Sequence, residues 1–185
     1  MMVKVCGITR REDALAAAEA GASAIGFIFY PQSPRYVAPE RAAGLGEGLD
    51  MWKVGVFVDE APAAIEAVMR AAHLDVAQIY GGDVIAGTRV WRAFRMTEAW
   101  GWRGEAEAIL LDGEKSGASF DWSLARRAAG KVIVAGGLDA SNVAEAIRIA
   151  EPWGVDASSK LESAPGIKDH DKVRAFVKAA REATW

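Results

Sequence analysis

Short, almost wholly apolar runs alternate with amphipathic stretches from one end of the chain to the other. The runs at 24–29 and 132–135 carry no charged side chain, which is typical of parallel strands that are buried on both faces. Polar residues and glycines follow most of these runs. We therefore predict eight strands, at residues 3–7, 24–29, 54–58, 76–80, 90–95, 108–112, 132–135 and 154–157.

The segments between these runs have helical patterns. Thr9 is a candidate N-cap for the first helix and Gly21 its stop, and Pro62 is tolerated in a first turn. The predicted helices cover Arg11–Ala20, Pro62–Ala72, Asp121–Ala129, Asp139–Ala150 and Lys168–Ala183. Two connections are reduced: residues 81–89 are too few for a normal helix, and residues 97–107 are rich in Trp and Gly. We expect Trp100, Trp102 and Trp122 to pack helices against the barrel.

Eight strands that alternate with helices predict an α/β fold, a closed (β/α)8 (TIM) barrel with shortened fourth and fifth helix regions. The alternative is an open doubly wound sheet, whose glycine fingerprint the chain lacks. The 185 residues are fewer than barrels usually have. No linker or break in composition divides the chain, so we expect one catalytic domain over residues 1–185.

The composition of the chain argues against several classes of function. A net charge of −3 argues against a nucleic-acid partner, because phosphate binding of that kind needs a basic face. No apolar run reaches about 18 residues, so no membrane span is expected. Cys6 is the only cysteine, which excludes an intramolecular disulfide and fits the cytoplasm. His73 and His170 are far apart in the sequence and form no metal-ligand cluster, so we expect no catalytic metal. We expect a monomer, with a homodimer as the alternative.

Active sites of such barrels lie where the strands end, and two reactive side chains stand there. Cys6 ends the first strand, and the amides that begin the next helix could lower the pKa of its thiol. Asp112 ends the sixth strand, where burial would raise its pKa, as suits a general acid. A lone cysteine is more often a small buried core residue, and Asp112 is equally compatible with a helix cap or a salt bridge to Lys115.

Loops after the seventh and eighth strands are the usual phosphate site of this architecture. Here they carry a glycine pair and a serine pair, and a further Ser-Gly pair follows the sixth strand. Arg35 lies on the loop after the second strand, which two prolines stiffen. There it suits a planar carboxylate or is simply a solvated surface arginine. The predicted phosphate ligands are Ser116, Gly117, Gly136, Gly137, Ser158 and Ser159.

Seven blocks together resemble phosphoribosylanthranilate isomerase, in order and over nearly the whole chain. The first two blocks are highly specific in combination. The blocks are KVCGIT at 4–9, GFIFYPQSPRY at 26–36, VGVFV at 54–58, LLD at 110–112, FDW at 120–122, AGGL at 135–138 and DASS at 156–159.

The resemblance implies a cofactor-free enzyme of tryptophan biosynthesis with a phosphorylated small-molecule substrate. Members convert N-(5-phosphoribosyl)anthranilate to 1-(2-carboxyphenylamino)-1-deoxyribulose 5-phosphate by an Amadori rearrangement. It assigns Cys6 as the general base, Asp112 as the general acid and Arg35 as the ligand of the anthranilate carboxylate. The glycine pair and the strand-eight serines would hold the phosphate. Gln78 and Asp156, on the fourth and eighth strands, are expected to contact substrate.

Two positions depart from the family pattern. Tyr80 stands where the family usually has histidine, and Lys160 where it usually has glycine after the two serines. Two other functions remain possible: a relative of indole-glycerol-phosphate synthase, for which Lys4 is the nearest candidate lysine, and a phosphate-binding barrel without catalysis.

Overall fold

The computed structural model describes residues 1–83, 85–96, 106–114 and 119–183, and its central feature is a closed barrel of eight parallel strands. Strand order around the barrel is the order along the chain, and β1 closes the ring by pairing with β8. The predicted (β/α)8 fold is confirmed, and no predicted strand bound is off by more than two residues. The strands are β1 Met2–Cys6, β2 Ala24–Ile28, β3 Trp52–Val58, β4 Val76–Tyr80, β5 Val90–Arg95, β6 Ala108–Asp112, β7 Val132–Val134 and β8 Gly154–Ala157.

Five α-helices surround the barrel in the described part of the chain. Prolines occupy the first turn of two of them, and the Asp169 side chain caps the last by accepting from the Asp171 and Lys172 amides. None of the described helices is long and apolar enough to cross a membrane. The helices are α1 Arg11–Glu19, α2 Pro39–Gly46, α3 Pro62–Ala71, α4 Val143–Ala150 and α5 His170–Glu182.

Several helix predictions were wrong in detail. Arg10, not Thr9, precedes α1, and Thr9 donates its hydroxyl proton to the Gly166 carbonyl instead. The predicted helix at 121–129 is a 3-10 turn, Trp122–Arg127. The helix predicted from Asp139 begins only at residue 143, because the Asp139 and Asn142 side chains bond to nearby backbone amides and form a turn.

Two elements were not predicted at all. Helix α2 follows a polar loop and has a weakly patterned sequence, Pro39–Gly46. A small antiparallel hairpin, β9 (Glu162–Ala164) and β10 (Ile167–Lys168), lies between β8 and α5 and takes the residues predicted to begin the last helix. This hairpin matters for function, because it brings Glu162 and Lys168 towards the site.

The shortened regions fit their sequences. No helix lies between β4 and β5 within the described residues 81–83 and 85–89. Residues 97–105 lie outside the described part of the chain, and with them Trp100 and Trp102. Trp122 packs against the layer between helices and barrel, as expected.

The barrel interior is apolar at one end and polar at the other. Trp52, Trp91 and Trp153 pack together where the strands begin, with ring centroids 5.8–6.0 Å apart. Trp91 is fully buried, so this end of the barrel is filled by rings. The other end, where the strands finish, carries the cysteine and the carboxylates that point inward. Within the described residues, the fold therefore places the candidate chemistry at one mouth of the barrel.

Candidate active site

One cavity opens at the ends of the strands and gathers most of the predicted site residues. Its lining includes residues from β1, β2, β4, β6 and β8 and from the loops after β2, β7 and β8. Ser116 and Gly117, also predicted as phosphate ligands, lie outside the described residues. The predicted residues that line the cavity are Cys6, Arg35, Gln78, Asp112, Gly136, Gly137, Asp156, Ser158 and Ser159.

Cys6 is next to a buried ion pair. Lys4, two residues earlier on the same face of β1, is fully buried, and its Nζ donates to Asp156 Oδ2 at 3.0 Å. Lys4 and Asp156 are register partners on adjacent strands, which fixes this pairing. A methyl group on Gly26 would lie 2.8 Å from Cys6 Sγ and 3.1 Å from Lys4 Nζ, so only glycine on β2 leaves room for both.

The thiol of Cys6 has a raised pKa, because burial in the barrel disfavours its charged form. Lys4 opposes this effect through its charge and a hydrogen bond to the thiol, whereas the Asp156 carboxylate adds to it. The expectation that helix amides lower this pKa is therefore wrong. The group that favours the thiolate is the ammonium of Lys4, which sequence reasoning considered only as a candidate for a different reaction.

Asp112 ends β6 and is partly exposed to the cavity. Its pKa is raised, as predicted, chiefly because burial disfavours the carboxylate. The Tyr80 hydroxyl donates to Asp112 Oδ2 at 3.0 Å, and Gln78 Nε2 donates to the Tyr80 oxygen at 3.4 Å. The pKa of Tyr80 is itself raised well above its ordinary value by burial and by the nearby carboxylates, so its hydroxyl stays protonated. A raised pKa suits a general acid.

Arg35 faces the cavity from the loop after β2, but its planar fork already holds a carboxylate of the chain. Its Nε and Nη2 both donate to Glu162 at 2.7 Å. Glu162 also accepts from Lys168 Nζ at 3.0 Å and from the Gly166 amide. Sequence reasoning missed Glu162 and Lys168, because a hairpin that it did not predict brings them to the site. Nη1 of Arg35 donates to none of the described residues, so this nitrogen can bind another acceptor.

Three buried polar atoms of cavity-lining residues have no hydrogen-bond partner in the described part of the chain. They are Gln78 Oε1, Asp156 Oδ1 and Ser158 Oγ. A buried polar atom without a partner costs free energy, which is usually tolerated where a ligand completes the bonding. These atoms belong to three of the residues that the sequence analysis placed in contact with the substrate.

The loops after β7 and β8 form a glycine-rich cradle whose geometry suits an anion. Gly136 and Gly137 have φ angles of +84° and +68°, a left-handed pair that glycine adopts easily and that turns successive amides to one side. Neither amide donates a hydrogen bond to a described residue. Lys160 is exposed and also lines the cavity, and its charge helps to lower the pKa of Asp139.

Gly7 is required where β1 enters this cradle. Its φ is +75°, and a methyl group there would lie 2.7 Å from Arg35 Cδ and 2.9 Å from Ser158 Oγ. Glycine thus lets Arg35 and the loop after β8 approach the strand closely. Elsewhere, the described residues hold no cluster of three or more His, Cys, Asp or Glu side chains arranged for a metal ion.

Comparison with known proteins agrees with this geometry. The family model for N-(5'phosphoribosyl)anthranilate (PRA) isomerase matches residues 3–179. The chain is 50% identical over 197 aligned residues to N-(5'-phosphoribosyl)anthranilate isomerase of Solibacter usitatus, with 99% of this chain and 98% of that protein covered.

Solved structures agree as well. The phosphoribosyl anthranilate isomerase of Thermotoga maritima superposes with a TM-score of 0.90 at 39% identity, covering 98% of each chain. A structure of phosphoribosyl anthranilate isomerase in complex with reduced 1-(o-carboxyphenylamino)-1-deoxyribulose 5-phosphate superposes with a TM-score of 0.88, also at 39% identity and 98% coverage of each chain. From its sequence, its barrel and the residues gathered at its mouth, the chain belongs to the N-(5'-phosphoribosyl)anthranilate isomerase family.

Proposed function

We propose that this chain converts N-(5'-phosphoribosyl)anthranilate to 1-(2-carboxyphenylamino)-1-deoxyribulose 5-phosphate, with Cys6 as general base and Asp112 as general acid. The observation that carries the assignment of roles is that both side chains line one cavity, at the ends of β1 and β6. The same cavity also carries the guanidinium of Arg35 and a glycine-rich anion cradle. The whole chain, residues 1–185, acts as one catalytic domain.

The reaction needs an acid, a base and positioning. Asp112 protonates the furanose ring oxygen, the bond from that oxygen to C1′ breaks, and the anthranilate nitrogen becomes part of a protonated Schiff base. Cys6 then removes the proton from C2′, and the electron pair moves to the nitrogen. The resulting enolamine tautomerises to the ketone. The substrate nitrogen is the electron sink, so these steps use only groups that the cavity provides.

Two parts of the cavity suit the two charged groups of the substrate. The phosphate accepts hydrogen bonds from the amides of Gly136 and Gly137 and from the hydroxyls of Ser158 and Ser159, and the predicted pair Ser116 and Gly117 stays part of this proposal. The anthranilate carboxylate accepts from Nη1 of Arg35, the nitrogen that Glu162 leaves free.

Gln78 and Asp156 complete the site. Each has one buried oxygen without a partner among the described residues, Oε1 and Oδ1, and each oxygen can accept from a sugar hydroxyl. Their other polar atoms are already bonded, to Tyr80 and to Lys4. The two side chains are therefore held in place while one atom of each stays available.

The test is a turnover assay. Fluorescence of N-(5'-phosphoribosyl)anthranilate should fall as the wild-type protein consumes it, and product should form without added metal or cofactor. The matched control is Cys6→Ala, which keeps the barrel and removes the base. Consumption at equal rates by both proteins would contradict the proposed role of Cys6, and no consumption by the wild type would contradict the proposed function.

Replacing Arg35 with alanine should raise KM for the substrate by about ten- to a hundredfold and lower kcat much less. Hydrogen bonds to charged groups contribute about 1.5–3 kcal/mol, and a carboxylate ligand acts on ground and transition state alike. Steady-state kinetics separate the two constants. The control is Arg41→Ala, since Arg41 is an exposed arginine that donates to the Thr9 carbonyl outside the cavity. A loss confined to kcat would place Arg35 at the reacting centre instead.

Replacing Lys160 with glutamine should raise KM by about two- to fivefold at low salt, because an exposed charge contributes at most about 1 kcal/mol. Salt should weaken substrate binding less in the variant than in the wild type, since screening acts on the lost charge. KM measured over a series of salt concentrations tests this. An identical salt dependence in both proteins would show that Lys160 does not act on the phosphate.

We also propose that the chain acts as a monomer in the cytoplasm, with a homodimer as the alternative. The large apolar side chains exposed among the described residues, Met1, Leu15, Tyr36 and Ile167, lie on different elements. The free thiol of Cys6 fits a reducing compartment. Light scattering on the eluting protein should give the mass of a single chain. Twice that mass would favour the homodimer.

A further inference from the structure

We propose that Tyr80 is a positioning residue for the general acid: its hydroxyl group orients the Asp112 carboxyl group and stabilises the carboxylate that remains after proton transfer. The proposal rests on the function proposed above, because it assigns a partner to the acid of that reaction. It starts from a contact that neither the sequence pattern nor the expected roles include. Tyr80 lies at the end of β4, and Asp112 at the end of β6.

The direction of the hydrogen bonds is fixed by the donors present. Gln78 Nε2 has protons and no lone pair to offer, so the Tyr80 oxygen accepts from it, at 3.4 Å. The hydroxyl proton of Tyr80 then points to Asp112 Oδ2, at 3.0 Å. Because Oδ2 accepts this bond, the proton that Asp112 transfers is carried by Oδ1. The chain of three side chains thus selects which carboxyl oxygen acts.

The bond affects reactivity as well as orientation. A hydroxyl donor stabilises the carboxylate more than the neutral acid, so it makes Asp112 a stronger acid. Tyr80 keeps its own proton, since its pKa is raised well above the ordinary value by burial and by nearby negative groups. The carboxylate therefore has a permanent donor at Oδ2 when it forms.

Other groups also shift the pKa of Asp112. The charge of Asp156 raises the pKa of Asp112, whereas the Gly113 amide and the charge of Arg95 lower it. Tyr80 is the largest of the lowering contributions. Removing its hydroxyl leaves these groups in place and shifts the balance towards the protonated acid.

The test is Tyr80→Phe, which removes the hydroxyl and keeps the ring. We expect kcat to fall by about tenfold or more, with a smaller change in KM, since a hydrogen bond to a charged group is lost mainly in the transition state. In the profile of kcat/KM against pH, the limb governed by Asp112 should move to higher pH. Tyr80→His, which offers a ring N–H to the same oxygen, should recover part of the loss.

The matched control is Tyr36→Phe, since Tyr36 is exposed and does not line the cavity. It should leave kcat, KM and the pH profile unchanged. Melting temperatures report whether each variant is folded. If Tyr80→Phe does not fold, Tyr80→His and Tyr80→Met, one with a donor and one without, make the same comparison.

A carboxyl NMR titration of Asp112 separates this proposal from the proposed function, because it needs no turnover. The Asp112 resonance should titrate at higher pH in Tyr80→Phe than in the wild type, whatever substrate the enzyme uses. An unchanged titration, or a lower kcat with an unmoved pH limb, would overturn the proposal and reduce Tyr80 to a packing role.

Discussion

Asp112→Asn is expected to lower kcat by at least about a hundredfold, because an amide cannot deliver the proton that opens the furanose ring. The change is nearly isosteric, and the Tyr80 hydroxyl can still donate to the remaining carbonyl oxygen. It also removes a charge that repels Asp156. The variant should therefore fold, with a melting temperature no lower than that of the wild type. Steady-state kinetics and thermal unfolding on the same preparation measure both effects.

The control for Asp112→Asn is Asp121→Asn. Asp121 is an exposed aspartate that caps the turn after β6 by accepting from Ser123. Its change should leave kcat unaltered and change the melting temperature little, because asparagine caps a turn as well as aspartate does. If Asp112→Asn keeps kcat within a few-fold of the wild type, Asp112 does not act as the acid.

Cys6→Ser should also lower kcat by at least about a hundredfold, since an alcohol is a far weaker acid than a thiol and supplies almost no oxyanion at neutral pH. The shape at position 6 is nearly kept, and glycine at position 26 still leaves room for the side chain beside Lys4. The melting temperature should change little. Turnover per folded molecule, measured beside thermal unfolding, distinguishes a catalytic loss from a loss of folded protein.

Two outcomes would contradict the role of Cys6. Normal turnover with a lower melting temperature would make it a core residue. A lost activity that returns fully in the serine variant as pH is raised above neutral would mean that another group removes the proton. The wild-type rate should rise with pH as the thiolate forms, because burial raises the pKa of the Cys6 thiol.

Lys4 controls how far that pKa rises. Its ammonium is the main group that favours the thiolate, and Asp156 holds it in place through the buried ion pair. Breaking a buried pair by removing one partner leaves an uncompensated charge, which makes variants at Lys4 poor tests of catalysis. Variants at Tyr80 are better tests, because replacing this neutral side chain leaves no buried charge without its partner.

The sequence by itself determined the barrel and the positions of its reactive groups. The strands were predictable because runs that are apolar on both faces, each followed by a turn and a helix, are local patterns. Cys6 and Asp112 were predictable as partners because the ends of parallel strands meet at one mouth whatever the details of packing. Helix starts were less predictable, since side chains such as that of Asp139 bonded to the backbone and formed a turn instead.

Only the tertiary structure decided which side chains form contacts across the mouth of the barrel. The bonds from Tyr80 to Asp112 and from Arg35 to Glu162 join residues 32 and 127 positions apart. Such pairs depend on strand register, barrel closure and a hairpin that has no local signature. The pKa of Cys6 is decided in the same way: it reflects burial and a lysine inside the barrel, and both arise only when β1 closes against β8.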